Sequence, residues 1–195
     1  MIPGVLGLLL MLMTIILTAL AIVKEKEIGT MEQLAVTPIK PYQLIIGKLA
    51  PFTLIGCIDI ALVLAVGTLW FGMPVRGSIF LLYILSLIFL LTTLGLGLFV
   101  STISRTQQQA MMSAVFFIML PMNFLSGFVF PIENMPKAVQ AITYVIPLRY
   151  YYTIIRGIFL KGVGLAELWD ETLILLAFGI AIATFSVLRF KKKIG

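Results

Sequence analysis

The chain contains no histidine, which removes the side chain that most often serves as metal ligand and general base near neutral pH. Its single cysteine, Cys57, lies inside an apolar run, so no disulfide can form within one chain. Charge is scarce: 11% of residues are Asp, Glu, Lys or Arg, against roughly 25% in soluble domains. A phosphate-binding loop is missing too. Gly47-Lys48 is followed by Leu49 rather than Ser or Thr, and Tyr42 stands where the first glycine would be. Any ATP-driven work is therefore expected from another polypeptide. With no histidine and no acidic pair inside the apolar runs, neither a catalytic residue nor a metal site is expected, and a membrane-embedded enzyme is disfavoured.

Apolar residues fill the space that charge leaves. They make up 61% of the 195 residues, and the mean hydropathy is +1.15. The expected fold is an all-α polytopic transmembrane bundle in one domain. About five spans are expected, near 2–23, 49–70, 79–100, 110–130 and 171–188, each long enough for a hydrocarbon core of ~30 Å. Residues 2–23 resemble a signal peptide only superficially. No cation precedes the run, Lys24 and Lys26 follow it, and it is longer than a signal core, so it reads as a retained span. No internal repeat, soluble domain or low-complexity linker stands out.

Cations set the expected orientation. Lys24, Lys26, Lys40, Lys48, Arg105, Arg189, Lys191, Lys192 and Lys193 fall on one side, which is then cytoplasmic together with the C-terminus. The other side carries Arg76, Lys137, Arg149, Arg156 and Lys161, offset by Glu133, Glu167, Asp170 and Glu171, and takes the N-terminus. The net charge of +6 is thus a topology signal and not a nucleic-acid one.

The longest polar interval in the first half is 24–48. Thr30-Met31-Glu32-Gln33 fits a capping box, and Ile28, Met31, Leu34 and Ala35 recur at helical spacing. Pro38 stops that helix after Thr37, and Pro41 suits the first turn of the next one. A short amphipathic helix between two spans fits two readings, one lying on the lipid surface and one docking a soluble partner. Lys24-Glu25-Lys26-Glu27 likewise reads either as a solvated span end or as a set of ion pairs to a partner.

Polar residues inside the apolar runs are few. Asp59 lies about ten residues into the second span, near mid-membrane at ~1.5 Å per residue. An intramembrane acid marks function by default; a hydrogen bond to Thr92, Asn123 or Ser126 is the structural alternative. Asn123 and Ser126, beside Pro121, form a second mid-span group, in which Pro121 can kink the helix. Thr92, Thr93, Gly95 and Gly97 read as close helix packing. Between 131 and 170 the chain is too broken and polar to cross a bilayer. Pro136 and Pro147 open two short helices within 136–161, expected to be interfacial or re-entrant. Tyr144, Tyr150, Tyr151 and Tyr152 there suit the interface, and Arg149 and Arg156 suit lipid headgroups or, less readily, an anionic substrate.

Several separated stretches together resemble the type-2 ATP-binding-cassette permeases. They are Glu25-Lys26-Glu27-Ile28-Gly29-Thr30-Met31-Glu32-Gln33-Leu34 with Val36-Thr37-Pro38, then Gly47-Lys48-Leu49, then 101–110, 126–136, 147–150 and 155–162, in that order. The resemblance implies a bacterial inner-membrane export permease that dimerises and binds two cytoplasmic ATPase subunits. ATP and Mg would sit on those partners, and this chain would hold no cofactor. It implies a coupling helix at 29–36, with Glu27, Gly29, Thr30, Met31, Glu32, Gln33, Leu34, Thr37 and Pro38 as the coupling residues. It implies re-entrant helices at 136–161 and alternating access driven by the partner. The family has six spans and this chain begins at the family's second, so a C-terminal portion is expected. The rival function is a secondary transporter working through Asp59 without ATP, which would want paired ionisable groups near the midplane. Asp59, Asn123, Ser126 and Pro121 are the candidates for the pathway or its gate. The residues name no substrate.

Overall fold

The computed structural model describes residues 2–29, 41–70, 72 and 76–194. They form an all-α bundle, with no strand among the described residues. Five helical stretches are long and apolar enough to cross a membrane: Gly4–Ile28, Ile46–Trp70, Ile79–Ile103, Gln107–Leu125 and Trp169–Arg189. This is the expected polytopic architecture, with most ends shifted by a few residues. One such shift is in the first helix. Its apolar run ends at Val23, yet the helix continues to Ile28, so Lys24 to Glu27 are helical.

We label the helices in chain order. α1 is Ile2–Ile28 and α2 is Pro41–Ala65, which continues as a π-helical turn, Val66–Trp70. α3 is Ile79–Ile103. The fourth span is composite: α4 (Gln107–Ser113), a π-helical turn (Ala114–Met119) and α5 (Leu120–Leu125). Two short helices follow, α6 (Lys137–Thr143) and α7 (Pro147–Arg156), the latter prolonged by a π-helical turn, Gly157–Lys161. α8 is Trp169–Ile194.

The bundle has two central helices. Half of each apolar window of α1 and α3 is buried, against 17% for α2 and 22% for the fourth span and for α8. The last three therefore turn much of their surface outward. α3 packs most extensively on α8 and then on α1. Small residues permit this, because helices in lipid associate through close packing and not through exclusion of water. A Cβ on Gly97 would fall 2.8 Å from Thr18 Cβ and 3.0 Å from the Ile15 carbonyl oxygen. On Gly95 it would fall 3.1 Å from the Ala183 amide nitrogen. Ser186 donates to the Gly95 carbonyl at 2.9 Å, which fixes the α3–α8 register. The small residues at 92–97 thus pack helices, as their pattern suggests.

α6 and α7 begin where the prolines place them: Pro136 caps α6, and Pro147 is the first residue of α7. α7 is set into the bundle rather than laid on it, with Tyr151, Tyr152, Ile154 and Ile155 in the core. The Tyr151 ring stacks on Phe89 at 4.1 Å, and its hydroxyl lies 2.6 Å from Ser86 Oγ. Tyr152 stacks on Phe128 at 5.2 Å. Tyr144 is 59% exposed, whereas Tyr150, Tyr151 and Tyr152 are buried, so the interfacial reading fails for those three. Tyrosine goes inside when its body stacks and its hydroxyl finds a partner, as Tyr151 does here and as Tyr150 does at the Tyr144 carbonyl. The turn before α3 docks on the end of this element: Arg76 and Gly77 donate their amides to Phe159 and Ile158. Gly162 closes the helix at φ 70, and a side chain there would press on the Arg76 carbonyl.

Candidate functional site

At one end of the bundle the last turn of α1 meets the second turn of α2, the end of α3 and the start of α4. Consecutive helical residues point about 100° apart around the axis. Glu25, Lys26 and Glu27 therefore aim in three directions, and each meets a different helix. Glu25 pairs with Lys48 near the start of α2. Lys26 donates from Nζ to the carbonyl of Ser101 in the last turn of α3. That carbonyl is one of the terminal acceptors that a helix leaves without an internal partner, and a cation is the favourable cap for it. Glu27 accepts two hydrogen bonds from Gln107, the first residue of α4, at 3.2 Å from the amide and 2.9 Å from Nε2. A carboxylate is the favourable partner at that end of a helix.

Together these contacts make a collar of alternating charge. It surrounds the point where α1 stops at Gly29, whose φ of 84 suits glycine and whose amide returns to the Lys26 carbonyl. Of the coupling residues expected from the sequence, Glu27 and Gly29 belong to this collar. Thr30, Met31, Glu32, Gln33, Leu34, Thr37 and Pro38 lie outside the described residues.

The far side of the collar is stiffened locally. Thr106 caps α4 by accepting from the Gln109 amide at 3.2 Å, and Gln109 Oε1 accepts from the Arg105 amide at 2.8 Å. This is a capping box in all but the exact residue reached. Its Thr-x-x-Gln signature stands plainly in the sequence at 106–109. The other collar partners carry no such signal, because Ser101 and Gln107 sit 75 and 80 residues from the side chains they bind.

The mid-span candidates do not converge on one point. Asp59 Oδ2 is buried and has no hydrogen-bond partner among the described residues. The three partners proposed for it are engaged on their own helices: Thr92 with Ile88, Asn123 with Met119, and Ser126 with Asn123. Pro121 sits in the first turn of α5, immediately after the π-helical turn of the fourth span. Pro121 lacks the amide that would continue the hydrogen-bond ladder.

Arg149 and Arg156 each bond within the chain, and Arg156 remains exposed. Arg149 donates to Thr143 Oγ1 and lies over the Tyr144 ring, and Arg156 donates to the Gly127 carbonyl at 3.1 Å. No cluster of three or more potential metal ligands occurs among the described residues.

Residues 1–160 match the family described as ABC-2 type transporter. The chain is 37% identical over 193 residues to the probable multidrug ABC transporter permease YbhS of Escherichia coli K12, covering 99% of this chain and 51% of that protein. It is 33% identical to the probable multidrug ABC transporter permease YbhR of the same organism, covering 99% and 52%. It is 35% identical over 187 residues to the inner membrane transport permease YhhJ, covering 94% and 49%. The chain thus spans about half the length of the curated relatives it matches.

Proposed function

Because the chain belongs to the ABC-2 type transporter family, we propose that it forms transmembrane permease structure of an ATP-driven exporter of the bacterial inner membrane. A separate ATP-binding-cassette ATPase hydrolyses ATP, and the permease moves substrate by alternating access. The relatives named as multidrug permeases support an export direction. The 29–40 segment receives the ATPase on the cytoplasmic side, and a second permease copy or homologue completes the pathway. ATP and Mg stay on the ATPase. The cation bias supports a cytoplasmic collar and C-terminus and an external first residue.

One observation carries this reading beyond the family: the root of the 29–40 segment is bonded to three other helices at once. A push on a loop does mechanical work only if the loop is tied to elements that can move. A ligand-driven change must also favour one arrangement differentially, and the collar is where that bias would enter. Leu34→Asp, made in the complete reading frame and co-expressed with the cognate ATPase, is expected to reduce ATPase co-purification while leaving the permease in the membrane. Unchanged recovery of the ATPase would count against docking at this segment.

A second reading follows from Asp59. A lone acid at mid-span is costly, about 2.5–3.5 kcal/mol on insertion scales, and its buried oxygen has no hydrogen-bond partner among the described residues. It serves the pathway or its gate within the exporter, or else drives ion-coupled flux without ATP. Transport that continues with a hydrolysis-dead ATPase and is lost on Asp59→Asn would favour the ion-coupled form.

A further inference from the structure

We infer that the Glu27–Gln107 contact is the positioning link through which displacement of the 29–40 segment reaches the fourth span, and that this span yields at its π-helical turn. The inference rests on the proposed docking of an ATPase to that segment.

The three collar contacts are not equivalent. All three run to helices that pack directly on α1, and Glu25–Lys48 and Lys26–Ser101 are the partly buried ones. They hold neighbours in place. Glu27 is exposed, and its two bonds reach the first residue of a helix whose middle is not α-helical. The first turn of α4 is closed by the Thr106–Gln109 box, so a pull on Gln107 moves the turn as a unit instead of unravelling it. The opposite end of the same span is also tied down. α5 ends at Ser126, and the Gly127 carbonyl beside it accepts from Arg156 of α7. Between two held ends lie Ala114–Met119 and Pro121. A π turn followed by a proline is where a helix bends at least cost, because its ladder is already irregular. Displacement entering at Gln107 is therefore absorbed between residues 114 and 121. Neighbouring Asn123 and Ser126 ride on the far side of that bend.

The test compares Glu27→Ala, Glu27→Lys, and the exchanged pair Glu27→Gln with Gln107→Glu. Each is made in the complete reading frame and reconstituted with the ATPase in proteoliposomes. ATP hydrolysis, substrate flux and bound ATPase are measured on the same samples. Glu27→Ala is expected to lower flux per ATP severalfold with ATPase binding unchanged. The exchanged pair keeps one amide-to-carboxylate bond across the gap and is expected to recover most of the loss. A merely structural role would lower the amount of folded protein and leave flux per ATP alone. Wild-type flux per ATP in Glu27→Ala overturns the inference. Where Glu27→Ala fails to accumulate, Glu27→Lys, which cannot accept from Gln107, is compared with wild type: lower flux per ATP supports the link, and equal flux per ATP overturns it. Failure of the wild-type protein to bind any ATPase removes the proposed function itself, which is a distinct result.

Discussion

The two ends of this bundle are fastened by different physics. At the collar, charged side chains reach from one helix terminus to the next, and Glu27 does so in the open. At the other end, α7 is sunk into the core, with Tyr151 against Phe89 and Tyr152 against Phe128. Contacts between exposed charges are weak and screened by salt, whereas a buried aromatic ring brings large contact area. The first end can exchange partners without cost to the fold, and the second cannot. The proposed drive from one side would use this asymmetry: force would arrive at the end held by exchangeable contacts, and the spans would pivot against the buried one.

The contrast can be broken from its rigid end first. Tyr151→Ala removes a ring that is completely buried and is expected to cost about 3–5 kcal/mol, the range for buried aromatics. Unfolding in detergent should show it, with Tyr151→Phe losing only the Ser86 hydrogen bond, about 1 kcal/mol. Next comes Gly97→Val, which would push into Thr18 and the Ile15 carbonyl and is expected to cost about 1–3 kcal/mol by overpacking. Loss of α1–α3 cross-linking between engineered cysteine pairs would report it.

Asp59→Asn removes a poorly partnered acid from mid-span. Membrane accumulation should hold or rise while flux falls; unchanged flux would end the pathway role of this residue. The smallest effect on stability is expected for Glu25→Lys, within ~1 kcal/mol because the pair is partly exposed. Flux per ATP near the wild-type value in Glu25→Lys would sharpen the comparison, since it would confine coupling to the Glu27–Gln107 contact.

The spans were legible because hydropathy is a local property of the chain, and Pro136 and Pro147 mark helix starts wherever they stand. Their ends were less so. α1 outlasts its apolar run because Glu25, Lys26 and Glu27 find partners on three helices, and those partners lie far away in sequence. The same distance hid Arg156 on the Gly127 carbonyl and Tyr151 on Ser86; Tyr151 proved internal, while Arg156 remains exposed. Gly95 and Gly97 were read correctly, since a small residue in a span has few uses besides close packing. Asp59 stood out because one acid in an apolar run is conspicuous, but nothing local excludes the partners that Thr92, Asn123 and Ser126 turn out not to be.

The most direct measurement is the distance between spin labels at Met112 and Phe124, exposed positions on either side of the π-helical turn. It is taken in the assembled complex with and without a non-hydrolysable ATP analogue on the ATPase. The account expects the distance to shift when the nucleotide binds and to stay fixed in Glu27→Ala. A distance indifferent to nucleotide in the wild type, or one that shifts equally in the variant, would contradict it.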